Sequence, residues 1–205
     1  MSQFSDLIPQ ARIFLAQLAA NNDRDWFAAH KGEFEARIKR PALAFADLIS
    51  ADLARLLGRP VTHKLFRIHR DLRFSADKTP YNTHLHLAWT ADGKTGPGWY
   101  FGLSPDDLTT GWGWMAFTPA QITTWRQTVD SGTCPDLPPK GFTLAEPELK
   151  RVPAPYDKTH PAGDNLRRKS LTLWREIDPA GDPHSATMAN FTALLPLHQA
   201  LAPRL

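Results

Sequence analysis

Apolar positions recur with the helical period over the first quarter of the chain. From Ile8 to Ala20 the set Ala11, Phe14, Leu15, Leu18 and Ala19 repeats every three or four positions, with Pro9 in the first turn and Asn21-Asn22 as a stop. A second helix is predicted from Trp26, with Asp25 as its N-cap, carrying Phe27, His30, Phe34 and Ile38 until Pro41 breaks it. A third begins at Ala42, with Leu43, Ala46, Ile49, Leu53, Leu56 and Leu57 as its inward stripe and Gly58 as its C-terminal cap.

After Arg59-Pro60 the period drops to two. Phe66, Ile68, Leu72 and Phe74 alternate with Arg67, His69, Asp71 and Arg73, which predicts a half-buried strand from Leu65 to Phe74. Arg70 falls on the apolar side, so it needs a carboxylate or carbonyl partner, or a bulge that turns it out. Ser75 to Pro80 is turn chemistry, and His84 to Thr90 then puts Leu85, Leu87 and Trp89 on one face and His84, His86 and Ala88 on the other. Trp99 to Leu103 and Thr110 to Phe117 read as two more strands, the second with Gly111 and Gly113 opposite Trp112 and Trp114; small residues on a face let a backbone or a ligand come close. Short turns between such strands favour an antiparallel meander.

Thr118 and Gln121 form a capping box for a helix with Ile122, Trp125 and Val129 inward, ending before Gly132. The run from Gly132 to Pro155 is proline-rich and reads as a connection. A short helix from His160-Pro161 through Arg168, a strand from Ser170 to Trp174, and a last helix from Asp182-Pro183 complete the pattern. Met188, Phe191, Leu194, Leu195 and Leu201 face inward on that helix, and Pro196 disturbs it. The fold expected is α+β: an antiparallel sheet of about four to six strands packed against N-terminal and C-terminal helices, one domain over residues 1–205.

Composition excludes more than it selects. With 205 residues, 42% of them hydrophobic and 22% charged, the chain can bury a core without metals or disulfides. One cysteine, Cys134, within SGTCPDLPPKG, removes a disulfide framework and any multi-cysteine zinc site. The N-terminal MSQFSDLIPQARIF lacks a basic segment leading into an apolar run, and no stretch nears the roughly 18 apolar residues of a membrane span, so a cytoplasmic location and no membrane contact are expected. No Gly-x-Ser-x-Gly, Walker loop, dinucleotide fingerprint or metalloprotease helix occurs.

A formal charge of +3 makes the overall field weak, so any anion preference must be local. Leu65 to His86 gathers Arg67, Arg70, Arg73, Lys78, His69, His84 and His86 against Asp71 and Asp77. Converging guanidinium forks bind phosphate or carboxylate oxygens; the competing reading pairs these cations with Asp71, Asp77, Glu33 and Glu35. His84 and His86 share one strand face at a spacing that metal sites on sheets use, but a third ligand would have to come from His30 or His160, and no metal is expected. His69 or His84 suits a general base. Seven tryptophans beside basic residues also fit a nucleic-acid surface, although Trp26, Trp89, Trp125 and Trp174 occupy core-periodic positions.

At FRIHRDLRFSADKTPYNTH, with NNDRDWFAAHKGEFE upstream and LKRVPAPYDKTHPAGDNLRRKS downstream, the chain resembles the uncharacterised family catalogued as domain of unknown function 2461. The pattern matches at Trp26, Phe27, His30, Glu35, Phe66, Arg67, Arg70, Asp71, Arg73, Phe74, Ser75, Asp77, Lys78, Pro80, Tyr81 and His84. It resumes at Lys150, Arg151, Pro153, Tyr156, His160, Pro161, Leu166, Lys169 and Ser170. His69 and His86 stand outside it. The resemblance implies no reaction, cofactor or partner, but it adds a second polar group far along the chain.

If Lys150, Arg151, Tyr156, His160 and Lys169 fold back against the first group, a basic pocket results. Its anion-binding residues would be Arg67, Arg70, Arg73, Lys78, Arg151 and Lys169, with His84 and Tyr81 for proton transfer. Glu35, Asp71, Asp77, Trp26, His30, Tyr156 and His160 would support it. The leading expectation is a protein with a cationic pocket for an anionic, phosphate- or carboxylate-bearing small molecule, with hydrolysis or transfer left open and no cofactor. The alternatives are a module for nucleic acid or an acidic partner, and a buried Arg/Asp network that is purely structural.

Overall fold

The computed structural model describes residues 4, 6–73, 75–91, 93 and 95–205. Helix α1 (Leu7–Ala20), α2 (Arg24–Glu33), a π-helical segment (Phe34–Lys39) and α3 (Arg40–Leu57) lead into β1 (Thr62–Leu65), β2 (Leu85–Thr90), β3 (Gly98–Leu103) and β4 (Leu108–Trp114). Then come α4 (Pro119–Asp130), β5 (Thr143–Leu144), α5 (Gly163–Leu166), β6 (Leu171–Glu176) and α6 (Pro183–Leu201). The strands form one antiparallel sheet in the order β1-β2-β3-β4-β6-β5, so the expected α+β architecture and meander are present.

One register row sets the inner face. Trp89 lies opposite Trp99, and Trp99 opposite Trp112, and all three indoles are fully buried. Trp89 Nε1 donates to the Ala46 carbonyl of α3 at 3.0 Å, while Phe191 of α6 packs edge-on to Trp89 and Trp99 with centroids 5.8 and 5.1 Å away. Edge-to-face packing of this kind satisfies the ring quadrupoles as well as burying area. The opposite face carries His86, Tyr100, Gly102, Thr109, Gly111, Gly113 and Trp174 in matching register.

Four expectations need correction. The N-cap of α2 is Asp23, whose carboxylate accepts from Trp26 N at 2.8 Å, while Asp25 sits in the first turn, where its charge faces the helix N-terminus. Pro41 does not separate two helices: the helix continues, widened to the π register over Phe34–Lys39, directly before a proline that has no N–H for the carbonyl four residues back. The strand predicted from Leu65 to Phe74 ends where it was expected to begin. Beyond Leu65 the described residues keep one bond to β2, Phe66 N to His86 O at 3.0 Å, and the isolated His69–Tyr81 bridge, with Arg70 N donating to Pro80 O and Asn82 N to Ile68 O, because the Asp71 and Asp77 carboxylates take the backbone N–H groups of Arg73 and Thr79. Phe74 lies outside the described residues. Lastly, the proline-rich connection contributes β5, paired with β6 at Thr143–Trp174 and Leu144–Leu173.

The register also locates the two basic segments. β1 runs from Thr62, opposite Thr90, to Leu65, opposite Leu87, so the chain leaves it at the sheet end that holds Leu85 and Leu103. Lys169 precedes Leu171, which pairs with Trp114 beside the Gly113–Gly98–Thr90 end. With strand spacings of about 4.8 Å and rises of about 3.4 Å per residue, four strands and one strand length separate these corners by roughly 25 Å.

Gly113 is the tightest point of the sheet, with φ +128° and a position at which an added Cβ would lie 1.8 Å from the Leu171 carbonyl oxygen. Gly113→Ala is therefore expected to cost about 3 kcal/mol or more. Urea unfolding checks this; a loss below about 1 kcal/mol would contradict the close β4–β6 approach.

Candidate functional site

The loop between β1 and β2 closely pairs two of its four cations with its two carboxylates. Arg70 donates to Asp77 Oδ2 at 2.5 Å, to the Thr79 carbonyl at 3.2 Å and to the Thr79 hydroxyl, with Ser75 Oγ at 3.3 Å. Arg73 reaches both Asp71 oxygens, at 2.6 to 3.2 Å, and Arg67 lies 4.0 Å from the same carboxylate. Lys78 Nζ donates to Leu72 O at 3.2 Å. The Thr79 amide, then Arg70, hold Asp77 down to about 2, and Arg73 lowers Asp71. The network is local rather than buried: Arg70 is 24% and Asp77 59% exposed. Glu33 and Glu35 pair elsewhere, with Arg37 at 3.5 Å and Lys39 at 2.8 Å.

The aromatic residues beneath this loop are packing. Tyr81 is buried and stacks on Phe27 with centroids 4.2 Å apart, while Asn22 clamps its backbone by accepting from its N–H at 3.0 Å and donating to its carbonyl at 2.9 Å. Trp26 stacks on His30 at 4.0 Å, and His30 Nδ1 lies 2.8 Å from Trp26 O.

The second basic segment forms a cleft at the far corner of the sheet. About 750 Å³ is lined by Lys150, Arg151, Lys158, His160 and Arg167, with Asp164 as its carboxylate. Asp164 is held by Arg167 at 2.5 Å, and His160 Nδ1 accepts from Ala162 N at 3.0 Å while its Nε2 lies 3.6 Å from Asp130. Among the described residues Lys150, Arg151 and Lys158 make no ion pair. The frame is rigid because Trp125 Nε1 of α4 donates to Asn165 O at 2.8 Å, and Arg168, buried, donates to the Ala145 carbonyl and to Asn165 Oδ1 at 3.1 Å. Tyr156 is half-buried against the core, and Lys169 is exposed, with its amide donating to Glu148 Oε2 at 2.7 Å.

The structure thus brings Lys150, Arg151 and His160 together but leaves Arg67, Arg70, Arg73 and Lys78 at the diagonal corner; the single pocket expected from both groups does not form. His84 belongs to neither. It stacks on His86 with centroids 4.0 Å apart, beside Ser104 and Asp107 in a cavity of about 300 Å³ on the outer sheet face. Among the described residues no group of three or more His, Cys, Asp or Glu is placed to hold a metal ion.

Lys158 and Arg167 were absent from the sequence expectation. Both lie inside the family-like segment, between its matched positions, and the charge density of that segment, counted without the motif, marks them. Arg168 was read only as a helix residue, and its burial has no signal in the local pattern.

An antiparallel sheet with helices on one face and a basic cleft at one corner defines an α+β protein with a preformed cationic recess. The chain belongs to the family of conserved hypothetical proteins described as domain of unknown function 2461, whose pattern it matches over residues 10–199. Among curated proteins no relative is found. No described helix is long and apolar enough to cross a membrane.

Loss of water around the ring, then the charge of His84, pushes His86 down to about 4 from 6.5, and loss of water lowers His84 as well. A histidine depressed in the fold binds fewer protons folded than unfolded. Its contribution to stability is complete above about 6.5 and is lost as the pH falls toward about 4. The melting temperature of His86→Gln should therefore fall less steeply than that of the wild type across this window. Parallel curves from the two proteins in a pH-resolved thermal melt would refute the assignment.

Proposed function

We propose that this protein binds an anionic, phosphate- or carboxylate-bearing small molecule in the cleft of Lys150, Arg151, Lys158, His160 and Arg167. The observation that carries this reading is the charge imbalance of the cleft: four permanently cationic side chains and a histidine face about 750 Å³ against Asp164, which Arg167 already occupies. Three cations at one recess with no ion-pair partner among the described residues are an anion-binding arrangement, since an anion removes their mutual repulsion and supplies hydrogen-bond acceptors. Gathering the charge in a recess favours a compact ligand over a nucleic-acid backbone, which calls for a spread-out stripe.

Binding, rather than transfer, is the activity this geometry supports. A proton shuttle must lie within hydrogen-bond reach of the reacting group, or one water away. His84 sits at the Leu85–Leu103 end of the sheet, whereas the cleft adjoins the Trp114–Leu171 end. His160 is the imidazole at the cleft, and Ala162 N and Asp130 fix its ring.

Calorimetric titration with inorganic phosphate, pyrophosphate and citrate tests the proposal. At least one should bind the wild type, and Arg151→Ala combined with Lys158→Ala should weaken it by about tenfold or more. Arg67→Ala, at the other corner, should leave the affinity unchanged. No binding by any of the three, or equal losses from the two corners, would sink the reading; a gel shift that persists with the double variant would place nucleic acid elsewhere on the surface.

A further inference from the structure

The outer face of the sheet holds a second, chemically different cavity. An open recess of about 520 Å³ is lined by Phe66, His86, Tyr100, Thr109, Met115 and Trp174 over a floor at Gly102. Two of the three large apolar side chains that the described residues leave exposed, Phe66 at 45% and Met115 at 54%, belong to its walls. Isolated exposed apolar groups need no explanation, but two flanking one aromatic cavity mark a binding surface.

The floor is built by register. Tyr100 pairs with Gly111 and Gly111 with Trp174, and at Gly111 a Cβ would lie 2.5 Å from Trp174 Cε3, so the missing side chain lets the indole lie down on the sheet. Tyr100 lies down likewise, its hydroxyl donating to Gly113 O at 3.2 Å, with its ring 5.7 Å from that of Trp174 and tilted by 33°. One row further, His86 pairs with Gly102 and Gly102 with Thr109. Over Gly102 the nearest groups are Thr109 Oγ1, 3.1 Å from an added Cβ, and the edge of the His86 ring, with Cδ2 and Nε2 at 3.4 and 3.5 Å, so neither Tyr100 nor Trp174 is its nearest cover. Phe66 stands as the side wall, at 86° to His86, with Lys64 Nζ 4.7 Å above its ring.

We propose that this cavity is a site for a planar, uncharged heteroaromatic small molecule. The ligand stacks along the Tyr100–Trp174 floor and turns its polar edge to the imidazole of His86 and the hydroxyl of Thr109. Planarity follows from the ring faces that define the space, since offset stacking and edge contacts select flat π systems over equally apolar aliphatic ones. Neutrality follows from the lining, which contains no Asp, Glu, Lys or Arg to offset the cost of burying a charge. The depressed titration of His86 agrees with a neutral imidazole that both donates and accepts at the cavity edge. The volume and the mix of apolar walls with a few polar groups are those of small-molecule pockets. The site is separate from the basic cleft and does not depend on it.

Titration of 15N-labelled protein by NMR tests this, with indole and quinoline as probes and cyclohexanol and 2-naphthoate as aliphatic and anionic comparators. Indole or quinoline should move the Trp174 indole N–H and the Gly102 and Gly111 amides. Gly102→Val, which fills the floor, and Met115→Lys, which charges the rim, should each weaken binding by about tenfold. The buried Trp99 and Trp112 resonances report whether each variant keeps its fold. The comparators should bind about tenfold more weakly than the better probe. The proposal is overturned if neither probe moves these signals, if cyclohexanol or 2-naphthoate binds as well, or if both folded variants retain wild-type affinity. Movement of the same signals when the protein alone is concentrated would also overturn it, because the face would then belong to a second copy of the chain.

Discussion

Three buried indoles in one row across the sheet are the constraint from which the other features follow. Trp89, Trp99 and Trp112 occupy matched positions on β2, β3 and β4, with Leu173 of β6 completing the row. Side chains alternate along a strand, so a slip of one residue would turn every one of them out to solvent. Burying an indole contributes a large apolar area, and two of the three N–H groups find acceptors, Ala46 O for Trp89 and His198 Nδ1, at 3.4 Å, for Trp112, while Trp99 Nε1 is buried without a hydrogen-bond partner among the described residues. These contacts commit α3 and α6 to that face.

Fixing one face fixes the other. With the indoles inward, glycines at 98, 102, 111 and 113 fall on the outer face, and Tyr100 lies over Gly98 and Trp174 over Gly111 rather than standing away from the sheet. The same register decides which polar groups meet. β1 delivers the Arg67–Lys78 loop to one corner, and β6, inserted between β4 and β5, delivers Lys150–Lys169 to the diagonal one. The first corner pairs Arg70 with Asp77 and Arg73 with Asp71 and ties Lys78 to the Leu72 carbonyl; the second keeps Lys150, Arg151 and Lys158 directed at a recess. Similar cation densities along the chain therefore carry different consequences, set by the carboxylates within reach.

Local pattern was informative where local physics decides. The helical stripe of α1, the Gly58 cap with φ +68°, the Thr118–Gln121 capping box and the inward set Leu85, Leu87 and Trp89 were all legible from spacing and residue type. The opposition of Gly111 and Gly113 to Trp112 and Trp114 was legible too, but not that the space above Gly111 belongs to Trp174, a residue more than sixty positions away. Alternation overextended the strand after Leu65 because it cannot sense that side-chain carboxylates will compete for the backbone donors. Convergence of the two basic segments was the reading least accessible to sequence. It depends on strand order and direction, to which charge patterns are blind.

The distance between the two basic corners tests the register most directly. Nitroxide labels on Arg73→Cys and Lys169→Cys in a Cys134→Ser background should give a separation of about 25 Å or more by pulsed electron resonance. A distribution centred below about 15 Å would mean that the segments face one another across one pocket, and would contradict the strand order on which both proposed sites rest.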